Sequence, residues 1–493
     1  MVTTLKVTKG VHPVELTCDE QGLRIEGDFN ASQKLKKKII CCCIPVTEGK
    51  GPDPTLLPID HVYILYAEYI QRTKTIQIRF VLPEDRSNDD STADFYELYY
   101  TVPDDKAQEA EAFCETLMGR AYEGVKVHKR LLVLINPFGG QGKAKEIFEY
   151  HVHPIFQAAK CEVTVKSKNT QRQGHAIDIA KELDVDAYDA VVTVSGDGVV
   201  HEVINGFLAR SDAKDVMKKI TLGIIPGGTG NSLIISILGE KRGFDPSYTA
   251  LQVIKGKPMP LDLCSVTYDD HRYFSFLSQN YGITAYADLA TEHMRWMGDT
   301  RTVVGLLQEI FARHTYGVEA AIQVVESDKK KIIQECRVFK GSILEQEELN
   351  LEDTLPPLSE PVPSDWMVIK DNISMFLASK VPLLSRGMLS HPCALPNDGT
   401  LDLLLVRGSP GIKKQLDVFT KVEKGHHIHN DIVSSVEYYK IKAFRLTPVL
   451  KPGQTAYVAI DGEHAPCKPF QVQVHPRLCS VLAIKPTFLN TNI

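Results

Sequence analysis

Three short apolar runs mark the centre of the chain: residues 131–135, 190–194 and 221–225, all rich in Val, Leu or Ile. Helix-length segments separate them. Uninterrupted apolar runs of this length read as strands buried on both faces, and their spacing predicts the parallel sheet of an α/β domain. Upstream, residues 14–17, 23–26, 38–45, 61–69, 75–82 and 95–102 read as strands. A helix over 105–122 follows them, with Ala112, Phe113, Leu117 and Ala121 at helical spacing. Downstream, strands are expected at 273–277, 317–325, 367–378, 400–406, 442–447, 455–460 and 470–475, which predicts an antiparallel β-sandwich. Between them Val303, Val304, Leu306, Leu307, Ile310 and Phe311 form an apolar stripe at helical period.

The chain therefore divides into residues 1–124, 129–262 and 263–485, with a flexible Pro- and Glu-rich insertion near 326–365. Strands closed by one helix at the N-terminal end resemble a pleckstrin-homology-like barrel, a fold that does not itself specify function.

Each central run ends in a loop of small residues: NPFGG at 136–140, SGDG at 195–198 and PGGTGN at 226–231. In parallel sheets ligands gather beyond the carboxyl ends of the strands, where these loops would lie. Glycine lets a backbone approach phosphate oxygens, and its bare N–H groups form an anion cradle. Asp197 at the centre of such a cradle is electrostatically odd if the loop only binds phosphate. It makes sense if the carboxylate handles a proton or a metal during phosphoryl transfer; the bland alternative is an N-cap for the helix starting near Val199. Lys143 is not a Walker lysine, since GxxxxGK[ST] is absent.

Composition narrows the class. A length of 493 residues points to two or three domains, and a 43% hydrophobic fraction with net charge −6 fits a globular protein without a nucleic-acid partner. No run reaches the roughly 18–20 apolar residues that cross a bilayer, and the N-terminus lacks a signal-peptide layout. The eleven cysteines are scattered without CxxC spacing, which predicts reduced thiols in a cytoplasmic setting. His426, His427 and His429 lack a matching Cys or acid partner and read as solvated loop.

The blocks NPFGGQGKA, SGDGVVHEVINGF and IPGGTGNSL resemble the signatures of the diacylglycerol-kinase catalytic superfamily of lipid kinases, and within it those of the sphingosine (long-chain-base) kinases. The likeness runs from about residue 129 to 485. It implies transfer of the ATP γ-phosphoryl to the primary hydroxyl of a sphingoid base, with Asp197 as general base and Ser195, Gly196 and Gly198 beside the substrate. It further implies nucleotide contacts at Asn136, Pro137, Phe138, Thr170, Gln171, Arg172, Gln173, Gly174, Glu202, Gly228, Thr229 and Gly230. Family members often carry a basic or polar residue where Phe138 stands, so only a backbone contact is expected there.

The segment YADLATEHMRWMGDTR resembles the family block in which an Asp grips the lipid amine and two arginines reach ATP phosphates. Those positions are Asp288, Arg295 and Arg301. A carboxylate pairs strongly with an ammonium in a partly dry pocket, whereas Asp288, Glu292 and Arg295 also fit salt bridging on an exposed helix. The apolar stripe after this block serves as core or lines an acyl channel. By the same resemblance Asp461, Gly462 and Glu463 return to the nucleotide, and Asp461 is the expected Mg²⁺ ligand; a plain DG turn is the alternative. A ceramide or diacylglycerol kinase, or a non-catalytic lipid-binding scaffold, remains open at this point. Finally, KKKIICCCIP sets basic residues beside Cys41, Cys42 and Cys43. That suits S-acylation and peripheral membrane contact, or else a buried strand.

Overall fold

A computed structural model describes residues 2–27, 57–88, 90–137, 139, 142–166, 174–228, 230–291, 294, 300–339, 349–429 and 435–489. The N-terminal sheet is antiparallel, in the order Gly22–Glu26, His12–Asp19, Thr3–Lys9, Ala93–Thr101, Thr75–Pro83, Ile64–Ile70. Helix Ala107–Ala121 buries Phe113 and Leu117. The expected barrel is corrected here, because the sheet is not closed. Thr3–Lys9 meets Ala93–Thr101 only at Thr8↔Thr101, so two three-stranded ribbons join at one corner. Among the described residues a single bridge, Leu23↔Ile59, links the outer ends. The expected strand at 38–45, with Cys41, Cys42 and Cys43, lies outside the described residues.

The central runs form the parallel strands Arg130–Ile135, Ala190–Ser195 and Thr221–Pro226, flanked by Glu162–Lys166. Their apolar faces are buried on both sides, as uninterrupted Val/Ile/Leu runs require. The antiparallel sandwich is not a detached unit. Its last strand, Phe470–Ala483, pairs in parallel with the central sheet at Leu222↔Val481 and antiparallel with Lys257–Thr267 and Glu437–Val449. Lys257–Thr267 straddles the boundary expected at residue 262, so hydrogen bonding runs unbroken from one half to the other.

The insertion also differs from expectation. Residues 329–338 form a helix capped by Asp328, whose side chain accepts from Lys330 N–H. Residues 349–366 are strapped down where a loose segment was expected. The Arg445 guanidinium donates to the carbonyls of Pro356, Pro357, Leu358 and Glu360. Asp353 accepts from Ser265, Thr267, Arg272 and His475. Burial works against its ionised form, yet these bonds hold its carboxyl well below the usual range.

Beneath the sandwich lies a buried ionic network. Lys380, 1% exposed, donates to Asp262 (2.9 Å) and Asp398 (3.4 Å), and Lys440 reaches Asp398 (2.9 Å) and Asp402 (2.6 Å). His427 is not the solvated residue expected. It is buried in the turn His426–Ile428 with Nε2 2.9 Å from Ser390 O, and burial pushes its pKa down to about 4. The described cysteines are free thiols. No helix among the described residues is long and apolar enough to cross a membrane.

Candidate active site

The three loops meet at the carboxyl ends of the parallel strands. Asn136 N–H donates to Val194 O (3.2 Å), Gly227 N–H to Ser195 O (2.9 Å) and Asp197 N–H to Gly230 O (3.3 Å). A Cβ on Gly228 would lie 2.6 Å from Gly196 Cα, and one on Gly227 would lie 2.9 Å from Ser195 N. Loop-on-loop packing therefore demands these glycines before any phosphate does. The Ser195 hydroxyl turns back to Gly196 O (2.8 Å).

Asp197 is the first residue of helix Asp197–Leu208, whose N-cap is Gly196, and its carboxylate is not used to cap that helix. Its Oδ2 instead accepts from Ser232 N–H at 2.6 Å, at the start of helix Ser232–Leu238. Its Oδ1 is buried and has no partner. Burial raises the carboxyl pKa to about 6, opposed by the N–H groups of Ser232 and Leu233 and assisted by the charge of Asp461. A buried carboxylate with one anchored and one open oxygen is suited to accept a proton near neutral pH.

Asp461 arrives from the far end of the chain, in the left-handed region (φ 52°) ahead of Gly462 (φ 81°). Its Oδ1 accepts from Ser275 Oγ (2.5 Å), Leu277 N–H (3.0 Å) and Ser278 N–H (3.1 Å), and its Oδ2 from Phe276 N–H (3.1 Å). His201 Nδ1 stands 2.8 Å from the same Oδ2. Burial pulls the His201 pKa down, but Asp461, with Glu463 and Glu202 nearby, raises it overall. His201 is four residues after Asp197, so both lie on one face of their helix. Asn205, a further turn along, donates to Phe274 O (2.8 Å) and accepts from Phe274 N–H (2.8 Å). This helix is thereby fastened to the Asp461 hub. Reading the sequence alone did not single out His201, Asn205 or Ser275; the polar residues repeated at helical spacing in DGVVHEVING were the available signal.

The turn 461–463 lies between the other two parts of the site. Glu463 Oε1 is 3.5 Å from where Gly198 would carry a Cβ, and Asp288 Oδ2 is 3.8 Å from the equivalent point on Gly462. Asp288 sits on helix Ile283–Leu289. Arg301, expected at phosphate, instead donates to Asp288 O (2.6 Å), Asp288 Oδ1 (3.3 Å) and Thr291 Oγ1 (3.2 Å). Glu202, expected at the nucleotide, accepts from Gly174 N–H (2.9 Å) and Ala176 N–H (3.0 Å), holding the start of helix His175–Lys181. Asn136 and Pro137 are half-buried beside the loop junction. Phe138, Thr170, Gln171, Arg172, Gln173, Thr229 and Arg295 lie outside the described residues.

Residues 130–266 match the family model described as the diacylglycerol kinase catalytic domain, and 371–483 match the YegS C-terminal NAD kinase beta sandwich-like domain. Residues 3–123 match a domain of unknown function. Sphingoid long chain base kinase 4 of Schizosaccharomyces pombe is 35% identical over 382 residues, covering 77% of this chain and 80% of that protein. Human sphingosine kinase 1 is 33% identical over 357 residues, covering 70% of this chain and 89% of that protein. The chain belongs to the sphingoid long-chain-base kinases. Sphingoid long chain base kinase 5 of Saccharomyces cerevisiae is 29% identical over 482 residues, covering 85% and 69%. Lipid kinases of this family use ATP with Mg²⁺, and the catalytic domain and sandwich expected from the sequence are both present.

Proposed function

We propose that this kinase transfers the γ-phosphoryl of ATP to the primary hydroxyl of a sphingoid base, with Asp197 as the general base. The observation that carries the reading is the unpartnered, buried Oδ1 of Asp197 at the junction of three strand-end loops. The acceptor oxygen forms a bond to the γ-phosphorus, the bond from that phosphorus to the β–γ bridging oxygen breaks, and ADP leaves. The acceptor proton passes to Asp197 Oδ1. Most of the rate enhancement in such a transfer comes from positioning and from stabilising spread charge.

Mg²⁺, when bound, offsets phosphate charge and prefers phosphate and carboxylate oxygens. No group of three or more His, Cys, Asp or Glu among the described residues is set to hold a metal. Asp461 already accepts from four donors and faces His201, which argues against its expected ligand role. An ion held mainly by nucleotide phosphates, with the exposed Glu463 beside Gly198 as the available carboxylate, fits these residues better.

For the acceptor, Asp288 is the amine-pairing residue. A ceramide or diacylglycerol, having no amine, would gain no charge-assisted bond from that carboxylate beyond its existing pair with Arg301, a loss of about 1–3 kcal/mol relative to a sphingoid base. Purified protein with labelled ATP should label sphingoid bases and leave ceramide and diacylglycerol unlabelled. Asp288→Ala keeps the backbone carbonyl that Arg301 uses while removing the weaker 3.3 Å contact to Oδ1. It is expected to raise KM for amine lipids roughly tenfold or more with little change for neutral ones; equal effects on both would remove the amine-pairing role.

Peripheral membrane contact is part of this proposal. On helix Thr300–Ala312, Val303 (39%) and Phe311 (60%) are exposed on the stripe that includes half-buried Leu307, which suits an amphipathic helix lying in an interface. Residues 1–124 are proposed as a regulatory and membrane-targeting unit, acylated at Cys41, Cys42 and Cys43. Labelled palmitate should enter the parent chain and not the triple Cys→Ser variant; an unlabelled parent would dismiss acylation.

A further inference from the structure

Two polar side chains close to Asp288 have no use in the chemistry above. Asn280 and Thr284 are each 8% exposed, and Asn280 Oδ1 and Thr284 Oγ1 are buried without any hydrogen-bond partner. A buried orphan oxygen is destabilising and uncommon in folded chains, so each calls for a ligand or another explanation.

Their placement points to the acceptor lipid. Thr284 and Asp288 are four residues apart on helix Ile283–Leu289, one turn along a single face. Asn280 lies on strand Ser278–Gly282, just before Gly282 (φ 101°) turns the chain into that helix. It pairs with Ala459, and it shares its strand face with Ser278, whose N–H holds Asp461. The helix covers this face, since Tyr286 packs edge-on against Tyr457 at 5.7 Å. Asp288 Oδ2 lies 3.8 Å from where Gly462 would carry a Cβ, Thr284 stands one turn back on the same helix, and Asn280 is on the strand that leads into it. Gln279, the neighbouring buried amide, lies on the opposite strand face; its Nε2 donates to Ser275 Oγ (2.7 Å) and its Oε1 is likewise without a partner, away from the helix-covered face.

We propose that Asn280 and Thr284 receive the two secondary hydroxyls of a trihydroxy sphingoid base, making a 4-hydroxylated base the preferred acceptor. This rests on the sphingoid-base reading and deepens it. Asp288 takes the C2 ammonium, and the C3 and C4 hydroxyls lie one and two carbons further along the lipid. Side chains one helical turn apart, about 5–6 Å between Cβ atoms, reach groups on neighbouring carbons through ordinary hydrogen bonds. The two orphan oxygens on the helix and on the strand face it covers match two secondary hydroxyls. A base lacking the C4 hydroxyl leaves one of them unsatisfied, and a missing hydrogen bond of this kind discriminates strongly between acceptors.

The test compares kcat/KM for 4-hydroxysphinganine and sphinganine in purified full-length protein. The unchanged protein is expected to favour 4-hydroxysphinganine roughly tenfold, and Asn280→Val/Thr284→Val should bring the ratio close to one. Neither removed oxygen has a protein partner, so the thermal midpoint should hold. If the double variant does not fold, at least one of Asn280→Val and Thr284→Val alone must lower the ratio. A ratio near one in the unchanged protein, or a ratio unmoved by these substitutions, overturns the assignment. If the unchanged protein phosphorylates neither base, the sphingoid-base reading itself fails.

Discussion

Asp197→Asn is expected to lower kcat by about 100-fold or more while ATP still binds. The substitution is nearly isosteric. An Asn amide oxygen can keep the 2.6 Å bond from Ser232 N–H, so the start of helix Ser232–Leu238 is preserved. What disappears is the capacity of the open oxygen to take a proton. The pH profile provides a second check. Burial lifts the Asp197 pKa to about 6, and only the ionised form can act as base. Activity should therefore rise with pH through about 6 and be lost below it. Steady-state kinetics across pH, with nucleotide binding measured separately, test both statements. A variant with near-normal kcat would end the assignment.

Lys380→Met should produce the largest loss of stability. The ammonium is 1% exposed and lies between Asp262, which is fully buried, and Asp398, with further bonds to Leu395 O (3.1 Å) and Thr400 O. Asp262 is fixed independently by the N–H groups of Gly399 and Arg477, both at 2.8 Å. It therefore cannot swing out to water when its cation is removed. An uncompensated buried charge costs about 3–5 kcal/mol. Equilibrium urea unfolding should show that loss at neutral pH. The deficit should shrink as pH falls, because burial already raises the Asp262 pKa and protonation removes the orphan charge. Adding Asp262→Asn should recover part of the loss. A change below about 1 kcal/mol would instead assign this pair the value of a surface ion pair.

The sequence was most readable where burial leaves a simple pattern. Arg130–Ile135, Ala190–Ser195 and Thr221–Pro226 follow the apolar runs closely because both faces of those strands are covered. Glu162–Lys166 escaped because it is a largely exposed edge strand, with charges where apolar residues would mark it. Lys257–Thr267 carries Pro258 and Pro260, which argue against a strand in the middle of a sheet. Ser278–Gly282 is polar in composition yet wholly buried, an inversion that no periodicity reveals. Family motifs located Asp197, Asp288 and the turn 461–463. They could not disclose that Glu202 anchors a loop, or that Asp461 serves His201 and four other donors. Those roles depend on partners up to 260 residues apart.

The strand Phe470–Ala483 limits how the lipid can enter. It is bonded to the nucleotide half at Leu222 and along Lys257–Thr267, and to the sandwich at Glu437–Val449. The halves cannot open like a book without tearing a continuous ladder. Whatever admits substrate to Asp197 must therefore leave this ladder, and the register of the two halves, intact.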